Sequence, residues 1–476
     1  MASPAVLTSP ARATGRDRLA KAVAILLAGG LWGAVIAGDP LFLRLLTAAT
    51  ITFALWACIT WRRSVGIFAS LGVLIVLALL RRILIPYAGW QAFDPLVLVG
   101  PAVVFLLVAQ LFVLERRRLG GDRLSNLVLL LLAIELVQSA NPRGGGIFAG
   151  LGGLLFVGVP LLWFFVGREA MSRDLVRRLT AMFVLAGTGV ALYGLAQTQI
   201  GFPSWDREWI DVAGYSSIRV GDSIRAFGTF SSNAEYALFV GSAAAMCVAL
   251  SVEGRTWALA CLPVLLVALF FSSIRSATIT ALLACVLILA LVPRRPAVAV
   301  ALVLVGIVVA FGAVRIVSSG LQTSSNDLVS RQVGGLSDPL NPENSTLLLH
   351  VDLVIEGMKL GFRDPIGLGT GSTNQAGSKL SGGKGKGLPT EIDISNAFVG
   401  LGLLGGLTYL ALVVSIFTTT IRQHFAGRPD MLPVVAVLVV GLGQWLTGGH
   451  YALSPITWLL IGFVAAGSGP LRRFPT

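Results

Sequence analysis

Charge is what this chain has least of. Only 12% of its 476 residues are Asp, Glu, Lys or Arg, against about 25% in a soluble domain. That scarcity excludes an ordinary water-soluble globule, and 55% hydrophobic residues with mean hydropathy +0.83 point the same way. Cysteine is scarce too. Cys58, Cys247, Cys261 and Cys285 lie inside apolar runs without metal-ligand spacing and read as packing residues. Histidine occurs three times. In the polar segments Asp338, Asp352 and Asp364 are scattered, and Asp352 shares a helix only with Glu356, so no metal site and no cofactor are expected. The run "SGGKGKG" lacks the Gly-Lys-Ser/Thr ending of a P-loop and reads as a mobile tip. Neither an internal repeat nor the paired broken helices of an inverted-repeat transporter are evident. The basic start (Arg12, Arg16, Arg18, Lys21) is not followed by a clear small-residue cleavage site and reads as the flank of an uncleaved first span.

What the chain has is length in its apolar runs. Runs of about 20 residues match a bilayer core of about 30 Å. The expected fold is an all-α polytopic membrane protein of about 12–14 transmembrane helices, with a long extracytoplasmic loop containing short helices. The candidate spans are 19–37, 41–60, 64–80, 94–114, 124–140, 147–167, 179–199, 234–252, 256–272, 276–293, 297–316, 395–418, 431–447 and 454–468. With the N-terminus inside, inner segments carry Arg62/Arg63, Arg116–Arg118, Arg168, Arg173, Arg177, Arg255, Arg294/Arg295, Arg422 and Arg472/Arg473. The short outer loops carry only Arg81, Arg82 and Arg143, an asymmetry that follows the positive-inside rule and puts both termini in the cytoplasm. Arg81/Arg82 breaks the rule locally and reads as a pair snorkelling to headgroups. The net charge of +13 therefore reflects membrane insertion and implies no nucleic-acid partner.

The domain plan is a cytoplasmic tail (1–18), a first bundle (19–199), a first outer segment (200–233), central helices (234–316), a large outer loop (317–394), C-terminal helices (395–468) and a second cytoplasmic tail (469–476). Segment 200–233 is rich in interfacial aromatics (Phe202, Trp205, Trp209, Tyr215) and is expected to lie against the membrane surface. Within the large loop, Leu347, Val351, Val354 and Met358 fall on one face of an amphipathic helix over 345–360. A polar insertion this long exceeds an ordinary connection and marks the working part of the chain.

Two arginines at helix ends on the same outer side suit an anion. Arg225 stands in "SIRAFGTFSSNAEYA" just ahead of a span, where it could bind phosphate oxygens bidentately or meet lipid headgroups. Arg275, in "FSSIRSAT", lies among hydroxyls at a helix N-terminus, again with either duty open. The glycines of "DPIGLGTGS" (Gly367, Gly369, Gly371) form either a backbone N–H nest or a flexible turn.

The order "RAFGTFSSNAEYA", "SSIRSAT", a large loop with a helix and "DPIGLGTG", then "SNAFVGLGLLGGLTYLAL" resembles the O-antigen ligase and O-antigen polymerase superfamily over residues 180–420. The resemblance implies a metal-independent membrane glycosyltransferase. Its partners would be a glycan donor on a polyprenyl diphosphate such as undecaprenyl diphosphate, an acceptor saccharide or glycolipid, and the lipids of a bacterial-type inner (cytoplasmic) membrane. It also implies that Arg225 and Arg275 hold the donor diphosphate. Where the ligases have His-Asn this chain has Ser395-Asn396. The acceptor's proton then falls to Asp393 or Glu391, just before the chain re-enters the membrane, with His450 in the turn "TGGHYALSP" as runner-up. The readings from other classes are a transporter or flippase of a lipid-linked glycan, and a catalytically dead assembly scaffold.

Overall fold

A computed structural model of the chain describes residues 29 and 39–467, apart from 92–93, 214–217, 293–325, 338–346, 374–387, 389, 391 and 447–449. The expected spans 19–37 (except Gly29) and 297–316, Tyr215, Glu391 and the "SGGKGKG" tip lie outside the described residues. The helices are α1 (Pro40–Trp61), α2 (Arg63–Ile83), α3 (Pro95–Leu114), α4 (Arg123–Ser139), α5 (Ile147–Ala170), α6 (Arg173–Gln199) and α7 (Ser204–Ala213). A two-residue ribbon, β1 (Arg219–Val220) with β2 (Ser223–Ile224), precedes α8 (Asn233–Val252), α9 (Thr256–Phe271) and α10 (Arg275–Ala290). Then come α11 (Asn326–Ser337), α12 (Leu347–Arg363), α13 (Asp393–Phe425), α14 (Pro429–Val440) and α15 (Leu453–Ala466). Among the described residues seven helices are long and apolar enough to cross a membrane, and α9, α10, α14 and α15 are shorter apolar helices. The chain is an all-α polytopic membrane protein.

Helix α8 is the axis of the bundle. It is apolar all round and its whole length is buried, which is how such a helix must sit. Small residues let its neighbours close in: a Cβ on Gly187 of α6 would stand 2.5 Å from Ala243 Cβ. Helices α5 and α15 cross in the same way, with Gly462 facing the Phe164 carbonyl and Gly167 facing that of Leu459.

The end of the bundle from which segments 200–232 and 364–392 emerge, the loop end, departs from the sequence reading in three places. Arg81 and Arg82 do not snorkel. Arg81 Nε donates to Asp94 at 3.0 Å, and Arg44 shares the same carboxylate at 2.5 Å. Arg82 is 1% exposed; it pairs with Asp206 at 2.7 Å, donates to the carbonyls of Gly228 and Phe230, and lies over the Phe227 and Trp209 rings. Buried charge is stable only when paired in this way. The described residues of segment 200–232 are accordingly folded onto the bundle: Trp209 is buried, Phe202 stacks on Phe227, and Trp205 donates to Tyr193.

The third departure is in α13, where the expected span 395–418 is broken. Gly402 has φ 71°, outside any helix. Sixteen residues of straight helix would separate Asp393 from Tyr409 by about 24 Å, yet the Tyr409 hydroxyl donates to Asp393 Oδ2 at 2.9 Å. Residues 393–401 therefore fold back along 403–409, and Asp393 is sunk into the bundle instead of standing at its rim. The "DPIGLGTG" loop stitches the break. Leu368 N donates to the Val399 carbonyl at 2.9 Å, Gly369 N to that of Gly400 at 2.8 Å, and Leu403 N to that of Pro365 at 3.0 Å. Broken helices leave backbone groups that must find such partners in a bilayer. The loop is neither a nest nor a free turn; Gln138 and Asn141 of the α4 end fasten it from the other side.

Candidate anion site at the loop end

Arg225 is placed by the bonds around it. Its N–H donates to the Ile218 carbonyl at 2.7 Å, extending the ribbon. Beyond it, Gln197 Oε1 accepts from Phe227 N at 3.2 Å and Gly228 N at 2.8 Å, while Arg82 holds the carbonyls on the other side. The Arg225 side chain is 9% exposed. Arg275 is the first residue of α10, after a three-residue turn from α9. Ser273 in that turn has φ 54°, a left-handed conformation uncommon for a residue other than glycine.

The structure adds a third arginine that the sequence reading missed. Helix α11 lies across the gap between the ribbon and α10. At one end Asp327 accepts from Asp222 N at 3.2 Å, three residues before Arg225. One turn on, Gln332 donates to Thr278 Oγ1 at 3.1 Å, three residues past Arg275. Arg331 stands between these two fastenings. The three side chains grade from buried (Arg225) through half-buried (Arg275) to exposed (Arg331). Burial, then the charges of Arg331 and Arg275, push the Arg225 guanidinium down to about 10, so it stays cationic at neutral pH. The charge of Arg331 also bears on Arg275. Like charges gathered in partly buried surroundings are unfavourable, and a shared anion relieves them.

Beneath this rim lie residues 441–446 and 450–452, the described parts of the connection between α14 and α15. Helix α14 ends short of its expected length, at Val440, whose carbonyl accepts from Thr280 at 3.2 Å, five residues or about 7.5 Å beyond Arg275 along α10. Two buried carboxylates hold the turn. Asp393 Oδ2 accepts from Trp445 N at 2.5 Å and Leu446 N at 3.0 Å, besides Tyr409. Glu235, in the first turn of α8, accepts with Oε1 from Ala452 N at 2.9 Å and Leu453 N at 3.3 Å. Its other oxygen has no partner among the described residues. His450 in the same turn is 5% exposed, is hydrogen-bonded to the backbone of Gln444, and leaves Nδ1 without a partner among the described residues. Burial pushes its imidazole down to about 4, so the ring is neutral at pH 7.

Of the residues singled out from sequence, Arg225 and Arg275 are brought together. Asp393 and His450 share the turn below, and Glu391 lies outside the described residues. Ser395 caps its own half-helix, its hydroxyl donating to the Ile392 carbonyl at 2.9 Å. Arg331 was legible only through the amphipathic spacing of Leu328, Val329 and Gln332, all buried. Glu235 was hidden because an acid in a first helical turn reads as an ordinary dipole partner. Among the described residues no three His, Cys, Asp or Glu side chains come together as a metal would need. No protein-family model matches this chain, and no curated protein is similar enough to it to count as a relative.

Proposed function

We propose that the chain is a membrane glycosyltransferase of the O-antigen ligase or polymerase kind, acting in cell-surface polysaccharide assembly. It takes a glycan from a polyprenyl diphosphate carrier, such as undecaprenyl diphosphate, and passes it to an acceptor saccharide or glycolipid. The loop end faces outward from a bacterial-type inner membrane, with both termini cytoplasmic, as the distribution of Lys and Arg requires. The observation that carries this reading is the convergence of Arg225, Arg275 and Arg331 at one rim. Guanidinium groups bind phosphate oxygens in a fork and stay charged, which suits them to a diphosphate leaving group.

In the reaction the acceptor hydroxyl attacks the anomeric carbon of the donor sugar. The bond from that carbon to the diphosphate oxygen breaks, its electron pair leaves with the lipid diphosphate, and the arginines neutralise the charge gained. The hydroxyl proton passes to a base. His450 has the free position: its Nδ1 has no partner among the described residues, while Asp393 Oδ2 already takes three donors, and the negative charge of a bound diphosphate would raise the imidazole that burial holds low.

The test uses purified protein with a lipid diphosphate-linked glycan. Arg225→Ala and Arg275→Ala each lower turnover about a hundredfold or more, the cost of one strong transition-state contact, while the protein stays folded. Lys at 225 restores little: it supplies a point charge in place of a planar fork, and the same burial disfavours its charged form. Turnover persists in excess EDTA. Near-normal activity in both Ala variants removes the mechanism. The break in α13 favours a second reading, a transporter or flippase of the same lipid, since transporters bind at broken helices. Movement of the intact lipid-linked glycan across a vesicle membrane without glycosyl transfer would establish it.

A further inference from the structure

The two inner arginines and the outer one come from different parts of the chain. Arg225 and Arg275 belong to the scaffold: one is locked behind Phe227 and Gly228 by Gln197 and Arg82, the other begins a bundle helix. Arg331 belongs to the large loop, on a helix of twelve residues with segments outside the described residues on both sides. That helix rests on the scaffold through two polar bonds placed one turn apart on either side of Arg331, Asp327 to Asp222 N and Gln332 to Thr278. Leu328 and Val329 are buried beneath it while Arg331 stays exposed. The site therefore has a fixed, inner pair of cations and an added outer one, set side by side along the direction from interior to rim. A second phosphate placed outward of one held by the inner pair would meet the third.

Resting on the reading of a lipid diphosphate donor, we propose that Arg331 is the specificity-determining residue by which the site tells a lipid diphosphate from a lipid monophosphate. The Arg331 fork takes oxygens of the phosphate farther from the inner pair. The spent carrier keeps its hold on the site as a diphosphate and loses it once water has cleaved it to a monophosphate and inorganic phosphate. Helix α11 carries that selectivity because its two fastenings fix where Arg331 stands.

Binding of three probes to the full-length protein in zwitterionic nanodiscs tests this: undecaprenyl diphosphate, undecaprenyl monophosphate and phosphatidylglycerol. The wild type prefers the diphosphate. Arg331→Ala weakens diphosphate binding about tenfold or more, the loss of a charge-assisted hydrogen-bond pair, and leaves monophosphate binding within about twofold, so the preference collapses. Asp327→Ala or Gln332→Ala, which loosen α11 and keep the arginine, lower the preference in the same direction. Arg331→Gln, of similar length, serves if the Ala variant melts early. Equal loss on both undecaprenyl lipids, or loss on neither, overturns the assignment to Arg331. Phosphatidylglycerol displacing the diphosphate at comparable concentration overturns it in favour of a general anionic-headgroup site. Arg225→Ala separates this inference from the reading beneath it: if that variant binds the diphosphate normally, the whole site fails, whereas loss there with an unchanged preference in Arg331→Ala sinks only the role of Arg331.

Discussion

Two sets of arginines meet the folded segment 200–232, and the molecule treats them in opposite ways. Arg82 is given everything a buried guanidinium can use: a carboxylate from Asp206, two backbone carbonyls and two aromatic rings. Arg225, at most five residues from those same carbonyls, has Arg275 and Arg331 for electrostatic company. The first arrangement stabilises a fold. The second gathers like charges, which an arriving anion would relieve. The same division runs one layer down. Asp393 saturates one oxygen on the 443–446 turn, whereas Glu235 and His450 each keep a buried polar atom without a partner among the described residues. In that lower layer the satisfied oxygen is architecture, and the atoms without a partner among the described residues are where a substrate has something to supply.

The sharpest way to break this comparison is at Arg82. Arg82→Ala leaves Asp206 buried and unpaired, and the expected cost is about 3–5 kcal/mol of stability. Thermal melting in detergent should show a large drop with little monodisperse protein recovered. An Arg82→Ala protein that melts like the wild type would erase the distinction between the two sets.

A smaller effect separates the two members of the lower layer. His450→Gln should retain the melting temperature closely and lower turnover by about a hundredfold, as loss of a general base does. Asp393→Asn should lower the melting temperature, with turnover per folded molecule within a few-fold of wild type. A folded, inactive Asp393→Asn beside an active His450→Gln would return the proton to Asp393. Both remaining active would move it to Glu391.

The membrane architecture was legible because a span announces itself by composition alone: the twelve expected spans on described residues each meet a helix. Arg225 and Arg275 were legible because a cation beside a span end among hydroxyls is unusual wherever it occurs. What escaped is what depends on partners far along the chain. The role of Arg82 requires Asp206, 124 residues away. Helix α11 is a short segment in polar surroundings, so Arg331 had no reason to be placed over Arg275 until Thr278 and Asp222 were seen holding it. The break at Gly402 lies in "GLGLLGG", which scores as uninterrupted span. A Cβ there would come within 2.2 Å of the Pro365 carbonyl oxygen, a contact no local pattern encodes.

The central claim is that this chain transfers a glycan off a polyprenyl diphosphate, and the lipid-linked glycans of the source cell test it most directly. Deleting the gene should cause a glycan to accumulate on its polyprenyl diphosphate carrier, with the corresponding surface glycan lost. Single repeat units would mark a polymerase and full-length chains a ligase. Restoring the wild-type chain should clear the accumulated lipid, and Arg225→Ala at equal membrane abundance should not. Unchanged lipid-linked and surface glycans in the deletion strain would contradict the account.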